Sequence, residues 1–223
     1  MLKHNLRAGI DMTDAASRPG DVLWTIGHSN HPLDTFLDLL RRHEVEVLVD
    51  VRSSPYSGYC PHFNLEQLRP AVKAAAMQYL YLGDSIGGRA EGAEFYDDDG
   101  RVLYDKVAAT TAFQQGIERL INGLRAYRVA ILCGEEDPAN CHRRLLIGRV
   151  LGERGVRVMH IRGDGRVQSE TELAAEEKFQ KTKGQLSLFE TEDLSAWKST
   201  QSVLPKNPPP NSSRRSAAEE SDG

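Results

Sequence analysis

The sequence predicts an α/β fold: a single three-layer domain with a mostly parallel five-stranded sheet and helices on both faces. Short runs rich in Val, Ile and Leu recur along the chain, as expected for buried strands. Segments with apolar residues at helical spacing follow most of these runs. Alternation of strand and helix is typical of a parallel sheet, because each helix crosses over one face of it.

Taken in order, the five strands are predicted at residues 22–26, 45–51, 78–82, 129–132 and 156–161. The helices are predicted at residues 32–40, 64–77, 110–127 and 170–179, with a further helix after Asn140. Pro32 suits a first helical turn, Asn64 begins a capping-box pattern, and Asn140 is a predicted N-cap. Residues 94–106 are acidic and rich in turn formers, so we expect an irregular segment there.

Composition and cysteine usage narrow the class of protein. The chain has 223 residues, a formal net charge of −4 and three cysteines. This charge argues against binding nucleic acid through overall electrostatics. We see no signal peptide and no apolar run long enough to span a membrane, so we expect a cytoplasmic protein without membrane association. The expected organisation is a flexible leader at residues 1–20, the domain at residues 21–180 and a flexible tail at residues 181–223.

Polar residues follow the predicted strands at their carboxyl ends, where parallel sheets bind ligands. The candidate acid–base residues are His28, Asp50, Glu135, Cys141 and His142. Asp50 and Glu135 leave buried strands, where loss of solvent raises the pKa of a carboxyl group. The candidates for binding an anion or phosphate are Gly27, Ser29, Arg52, Gly87, Gly88, Arg89 and Arg143. Among them, Arg143 has the planar fork that suits a phosphate or the carboxylate of Asp50.

Residues 129–154 place a thiol, an imidazole and a guanidinium where a strand ends and a helix begins. The positive end of a helix dipole at such a junction favours anions and lowers the pKa of a thiol. We interpret Cys133 as a small buried hydrophobic residue in preference to a nucleophile. Cys141 and His142, with the distant Cys60 and His62, could together supply four zinc ligands. Their spacing is not that of a C-x-x-C site, so no metal is predicted.

Several motifs in order resemble the domain of unknown function 488 family: T-I-G-H-S, D-V-R followed by a proline, L-G-D-S-I-G-G-R and C-G-E-E-D-P-A-N-C-H-R-R. The resemblance covers about residues 22–165 and implies an α/β fold without implying a particular reaction. The family residues carried over are Gly27, His28, Ser29, Asp50, Arg52, Pro55, Gly87, Gly88, Glu135, Cys141, His142 and Arg143.

A weaker likeness is to rhodaneses. V-D-V-R-S-S-P-Y resembles the second-strand signature of that family, and residues 129–133 resemble the strand that delivers its catalytic cysteine. The loop after Cys133 departs from that pattern, because it is longer and contains Glu135, Glu136 and Asp137. These carboxylates would repel a persulfide, a phosphate or a sulfate, which counts against sulfur-transfer or phosphatase chemistry.

Residues 141–166 contain seven arginines and two acidic residues. Such a basic face suits the phosphates of a nucleotide or nucleic acid, although solvated helix faces that bind nothing give the same pattern. Residues 185–189 resemble the peptide by which bacterial replication and repair proteins dock on the DNA sliding clamp. Its residues are Gln185, Leu186, Ser187, Leu188 and Phe189. The alternative is a segment that packs on its own domain.

The sequence therefore supports three hypotheses for the function. The favoured one is an enzyme that acts on nucleotides or DNA in repair or base processing, recruited to the sliding clamp. The second is a non-enzymatic accessory of DNA repair that binds nucleic acid or the clamp. The third is a rhodanese-like enzyme that handles sulfur or phosphate, which requires Cys133 to be exposed and to have a low pKa. The sequence leaves cofactors, substrate and oligomeric state open.

Overall fold

The computed structural model describes residues 22–182 and 197–203. The strands are β1 (Val22–Gly27), β2 (Val47–Asp50), β3 (Gln78–Tyr81), β4 (Val129–Cys133), β5 (Arg157–Ile161) and β6 (Val167–Ser169). They form one sheet in the order β3-β2-β4-β1-β5-β6. The first five strands pair in parallel, and β6 pairs with β5 antiparallel. The predicted mostly parallel α/β sheet is confirmed, and β6 is a sixth strand that was not predicted.

The α-helices are α1 (Leu33–Arg42), α2 (Leu65–Ala74), α3 (Gly83–Ile86), α4 (Tyr104–Ala108), α5 (Thr111–Ala126), α6 (Arg149–Glu153) and α7 (Glu170–Thr182). A π-helical segment, Arg143–Gly148, leads into α6. Short 3₁₀ turns lie at Pro61–Phe63, Ala93–Phe95 and Pro138–Asn140. The helix α4 occupies a segment that was expected to be irregular. The prediction of Asn140 as an N-cap is wrong, because Asn140 ends a 3₁₀ turn that Asp137 caps.

Two neighbouring interior strands, β2 and β4, are buried along their whole length, because helices cover both faces of the sheet. Every residue of β2 and β4 is buried. Leu48 and Leu132 belong to the core cluster that contains α1 and α2. Val49 and Ile131 belong to the opposite cluster, which contains α5. This alternation of neighbouring residues between two apolar layers explains why the strands read as continuous apolar runs.

The register of the parallel strands brings their carboxyl ends to one level. Gly27 at the end of β1 pairs with Cys133 at the end of β4. Asp50 at the end of β2 pairs with Leu132. The loops that begin at His28, at residue 51 and at residue 134 therefore leave the same edge of the sheet side by side.

Residues 197–203, which we call the C-terminal strap, pack on the domain. Trp197 donates its indole N–H to the carbonyl of Leu145 at 2.6 Å. The backbone of Lys198 forms an isolated antiparallel β-bridge with that of Leu103. Ser199 is buried, and its hydroxyl accepts from the backbone N–H of Val102 at 2.9 Å. The expectation that residues 181–223 form a flexible tail is therefore wrong for the strap.

The leader at residues 1–20 and the clamp-like peptide at residues 185–189 lie outside the described residues. Within the part of the chain that the structure describes, no helix combines the length and apolarity needed to cross a membrane.

Candidate active site

A pocket of about 530 Å³ opens at the carboxyl ends of β1, β2 and β4. Seven of the predicted site residues line it: His28, Arg52, Gly88, Arg89, Glu135, Cys141 and His142. The other five lie at the same edge without lining the pocket: Gly27, Ser29, Asp50, Gly87 and Arg143. The seven lining residues therefore share one cavity at the predicted edge of the sheet. The other five residues contact neighbouring parts of the protein, as described below.

Two thiols, a carboxylate and an imidazole meet on the inner wall of the pocket. We call Cys133, Glu135, Cys141 and His142 the thiol cluster. The Glu135 carboxylate accepts from the Cys133 thiol at 2.8 Å and from the Cys141 thiol at 3.2 Å. Nδ1 of His142 lies 3.5 Å from the sulfur of Cys133 and 3.9 Å from that of Cys141. The interpretation of Cys133 as a mere packing residue missed this arrangement, although its place two residues before Glu135 at a strand exit was visible in the sequence.

The charge states of this cluster differ from the sequence-based expectation. Burial by itself raises the pKa of Glu135, but hydrogen bonds from Cys133, from its own backbone N–H and from Cys141 outweigh burial and lower that pKa to about 2. Burial raises the pKa of the Cys141 thiol well above its usual value. At neutral pH the cluster therefore holds an ionised carboxylate beside a protonated Cys141. The helix dipole does not activate this cysteine.

His142 is fixed in one orientation. Its Nε2 lies 3.0 Å from the carbonyl of Val51 and donates a hydrogen to it, so Nδ1 faces the thiols. Burial lowers the pKa of His142, but the hydrogen bond with Cys141 and the nearby Cys141 and Glu135 charges outweigh burial and raise that pKa. Gly88 packs directly against the ring, since a Cβ atom on it would lie 2.6 Å from Cγ of His142. A glycine at this position therefore makes room for the imidazole.

Arg52 and Asp50 form a buried ion pair beside the pocket. Nη2 of Arg52 lies 2.5 Å from the Asp50 carboxylate, which is fully buried and also accepts from the Tyr79 hydroxyl at 2.6 Å. Asp50 does not line the pocket, and its pair with Arg52 favours a structural salt bridge over a role as an acid or base. Its role is to hold the guanidinium that lines the pocket.

His28 continues this network. Its Nδ1 donates to the carbonyl of Ser29 at 2.8 Å, which leaves Nε2 to accept from Nη1 of Arg52 at 3.2 Å. The ring stacks on Phe63 with 4.4 Å between centroids. Burial lowers the pKa of His28 to about 4, against the raising effect of the Ser29 hydrogen bond. His28 is therefore a neutral imidazole at neutral pH, and Ser29 supports it through its carbonyl.

Arg143 contacts backbone carbonyls, and the predicted alternative in which it binds the carboxylate of Asp50 is wrong. Its side chain is fully buried, and its two terminal nitrogens donate to the backbone carbonyls of Glu135 and Glu136. The guanidinium contacts neither Asp50 nor the pocket. It fixes the loop after β4, and with it the position of the Glu135 carboxylate.

The predicted phosphate-binding glycines serve close packing of the protein on itself. A side chain on Gly27 would collide with the carbonyl of Glu135. A side chain on Gly87 would collide with the Ser53 hydroxyl and the Gly83 carbonyl. These glycines therefore allow neighbouring loops of the protein to pack closely against each other.

Five of the seven arginines at residues 141–166 form salt bridges with carboxylates, so most of the positive charge of this stretch is paired within the protein. The pairs are Arg144 with Glu170 and Glu177, Arg149 with Glu153, Arg154 with Glu118, Arg162 with Glu136, and Arg166 with Asp164. Arg89, at the pocket, differs from these arginines. None of the described carboxylates forms a salt bridge with it.

The outer wall and rim contain residues that the sequence did not single out. Ser199 and Val203 of the C-terminal strap line the pocket. Tyr56 lines it as well, and 72% of that residue is exposed. The neighbouring Tyr59 is 99% exposed. Trp197 is an isolated aromatic residue in a polar segment. This residue was the feature of the sequence that could have indicated that the C-terminal strap packs on the domain.

The family model described as domain of unknown function DUF488 matches residues 32–150. The matched part includes Arg52, Gly88 and all of the thiol cluster, whereas Gly27, His28 and Ser29 precede it. No curated protein and no solved structure is similar enough to match the chain. Because the matched residues make up more than half of the 223-residue sequence, the chain belongs to the DUF488 family.

Proposed function

We propose that this DUF488 protein is a cytoplasmic enzyme that acts on a nucleotide or on a base of DNA, in repair or base processing. The observation that carries the proposal is the make-up of one pocket. Its inner wall holds the buried thiol cluster, and its rim presents an exposed tyrosine and an arginine without a carboxylate partner among the described residues.

The rim supplies groups that suit a nucleotide. A guanidinium such as that of Arg89 binds phosphate through two parallel hydrogen bonds. The exposed ring of Tyr56 offers a face on which a base can stack, and such stacking contributes about 1–3 kcal/mol per base. Ser53 and Ser57, which also line the pocket, add hydroxyl groups that both donate and accept.

The inner wall supplies groups for chemistry. Glu135 remains ionised and buried, so it can stabilise positive charge that develops on a base. The same carboxylate disfavours a rhodanese-like reaction. A negative charge on the sulfur of Cys133, 2.8 Å from that carboxylate, would be repelled, and only 4% of Cys133 is exposed.

Binding and turnover of nucleoside monophosphates and short single-stranded DNA test the proposal. Arg89→Ala and Tyr56→Ala should each weaken binding by roughly tenfold, or about 1.4 kcal/mol. Arg166→Ala is the matched control, since Arg166 does not line the pocket. Glu135→Gln should keep binding and lose turnover. Unchanged turnover in Glu135→Gln would favour a non-enzymatic binding module, and no binding of any of these ligands would contradict the proposal.

We also propose that residues 185–189 recruit the protein to the DNA sliding clamp. These residues lie between α7 and the C-terminal strap, two elements that both pack on the domain. A recognition peptide between two anchored elements stays close to the domain that it recruits. The pocket would then be delivered to newly replicated or repaired DNA.

A further inference from the structure

We infer that Cys133, Cys141 and His142 form a binding site for a divalent transition-metal ion, with zinc as the metal that fits best. One donor atom from each residue lies within 4.8 Å of the others, and all three residues are buried. Thiolate and imidazole donors are those that zinc prefers. The inference goes beyond the proposed function and does not depend on the identity of the substrate.

The spacing of the donor atoms matches a tetrahedral metal. With metal–sulfur bonds of about 2.3 Å and metal–nitrogen bonds of about 2.0 Å, neighbouring donors lie about 3.5–3.8 Å apart. Nδ1 of His142 is 3.5 Å from one sulfur and 3.9 Å from the other. The two sulfurs lie within 4.8 Å of each other, so all three donors are close enough to share one ion after a small adjustment.

The orientation of His142 is that of a metal ligand. Histidine ligands donate their second ring N–H to a carboxylate, a backbone carbonyl or water, which fixes the tautomer. Here Nε2 donates to the carbonyl of Val51 and Nδ1 faces the two sulfurs, so a neutral ring would present the lone pair of Nδ1 to the metal. Gly88 leaves space for the ring in this position.

The three proposed ligands lie in or beside regular elements at the wall of the pocket, so a fourth ligand could approach from the pocket. Cys133 ends the central strand β4, and Cys141 and His142 immediately precede the π-helical segment. All three line the pocket. Catalytic zinc sites have three protein ligands and a fourth position that is open to a cavity. Structural zinc sites have four protein ligands.

Metal binding would displace the two thiol hydrogens that now point at Glu135. The cation would replace the two S–H protons, which pass to solvent, and two thiolates balance its double positive charge. Glu135 is not one of the three clustered donors, although its carboxylate contacts both sulfurs. We therefore place Glu135 beside the site and not among the ligands.

The zinc set considered from sequence, which joined Cys141 and His142 to Cys60 and His62, is wrong. The Cys60 thiol faces the carbonyl of Ser29 at 3.5 Å, and His62 contacts the carbonyl of His31 at 2.9 Å. Neither belongs to the cluster of donors found among the described residues. Cys60 is thus a cysteine of the same chain that can act as a matched control.

The test is metal binding by the full-length reduced protein, first stripped with a chelator and then titrated with Co²⁺ or Zn²⁺. We expect one ion per chain and, for cobalt, the thiolate charge-transfer and visible bands of a tetrahedral site. Cys133→Ser, Cys141→Ser and His142→Gln should each lose the ion, whereas Cys60→Ser and Glu135→Gln should keep it. Gly88→Ala, which displaces the ring, should weaken binding by roughly 10- to 100-fold.

If the cysteine variants fail to fold, measurements on the wild-type protein still test the inference. Removal of zinc by the chelator should lower the thermal midpoint, and re-addition should restore it. Reduced wild-type protein that gives no cobalt–thiolate band overturns the inference. So does a Cys60→Ser variant that loses the ion to the same extent as Cys133→Ser.

Discussion

Nη2 of Arg52 lies 2.5 Å from the carboxylate of Asp50, and both side chains are buried at the edge of the pocket. Arg52 lines the cavity, and Asp50, which does not, holds it in position. The same division recurs where Arg143, behind the pocket, fixes the loop of Glu135. Substitutions of the hidden members should therefore affect stability first.

Asp50→Asn should lower the free energy of unfolding by about 3–5 kcal/mol, because it leaves the Arg52 guanidinium buried without a neutralising charge. Urea denaturation measures the change. Asp38→Asn is the control, since the pair of Asp38 with Arg41 is exposed and contributes at most about 1 kcal/mol. Equal effects of the two substitutions would show that Asp50 does not hold Arg52 in solution.

Arg143→Lys should destabilise the protein by about 2 kcal/mol, because one ammonium group cannot span the two carbonyls that the guanidinium fork contacts. Arg149→Lys should change stability by about 0.5 kcal/mol or less, since Arg149 forms an exposed pair with Glu153. Denaturant unfolding of the two variants makes the comparison. Indistinguishable midpoints would contradict the structural role of Arg143.

His28 should make stability depend on pH between about 6.5 and about 4. Its pKa is about 4 in the folded protein, against about 6.5 in an unfolded chain. As the pH falls below about 6.5, the unfolded chain takes up a proton that the folded protein does not, so the folded state is disfavoured by up to about 1.4 kcal/mol per pH unit. Above that pH the contribution of His28 is constant. Unfolding at several pH values should therefore show a shallower slope for His28→Gln, and parallel slopes for the two proteins would refute the assignment.

Truncation should reveal the role of the C-terminal strap. A chain that ends at residue 196 loses the Trp197 and Ser199 contacts, so its free energy of unfolding should fall by about 2 kcal/mol or more. A chain that ends at residue 203 retains the strap and serves as the control. Thermal unfolding of the two chains compares them. If both keep the midpoint of the full-length protein, the strap does not contribute to stability.

The double substitution Leu188→Ala and Phe189→Ala should abolish clamp binding and leave the thermal midpoint unchanged. Paired apolar anchors each contribute about 1.5–3 kcal/mol when buried, before the cost of ordering the peptide is subtracted. We therefore expect about micromolar affinity for the isolated peptide, measurable by calorimetry with a purified clamp. A midpoint lowered by several degrees together with no binding of the wild-type peptide would mean that the segment packs on the domain.

The sequence by itself determined the sheet and the edge where the site lies. Continuous apolar runs such as residues 129–132 can be stable only inside a sheet covered on both faces, which predicts parallel strands. Parallel strands bring their carboxyl ends together, and this placed His28, Arg52 and Glu135 near one another before any coordinates. Local spacing and burial were sufficient for these conclusions.

Only the tertiary structure decided what each polar side chain does. Asp50 binds Arg52, Arg144 binds Glu170 and Glu177, and Cys133 meets His142. The strap contacts Val102 and Leu145, which lie far from it along the chain. A charged or polar residue carries no periodic signal for its partner, since the partner is set by the direction of its side chain and by chain folding over long separations. Apolar periodicity therefore predicts the layers of this protein, and the geometry of the assembled loops determines its site.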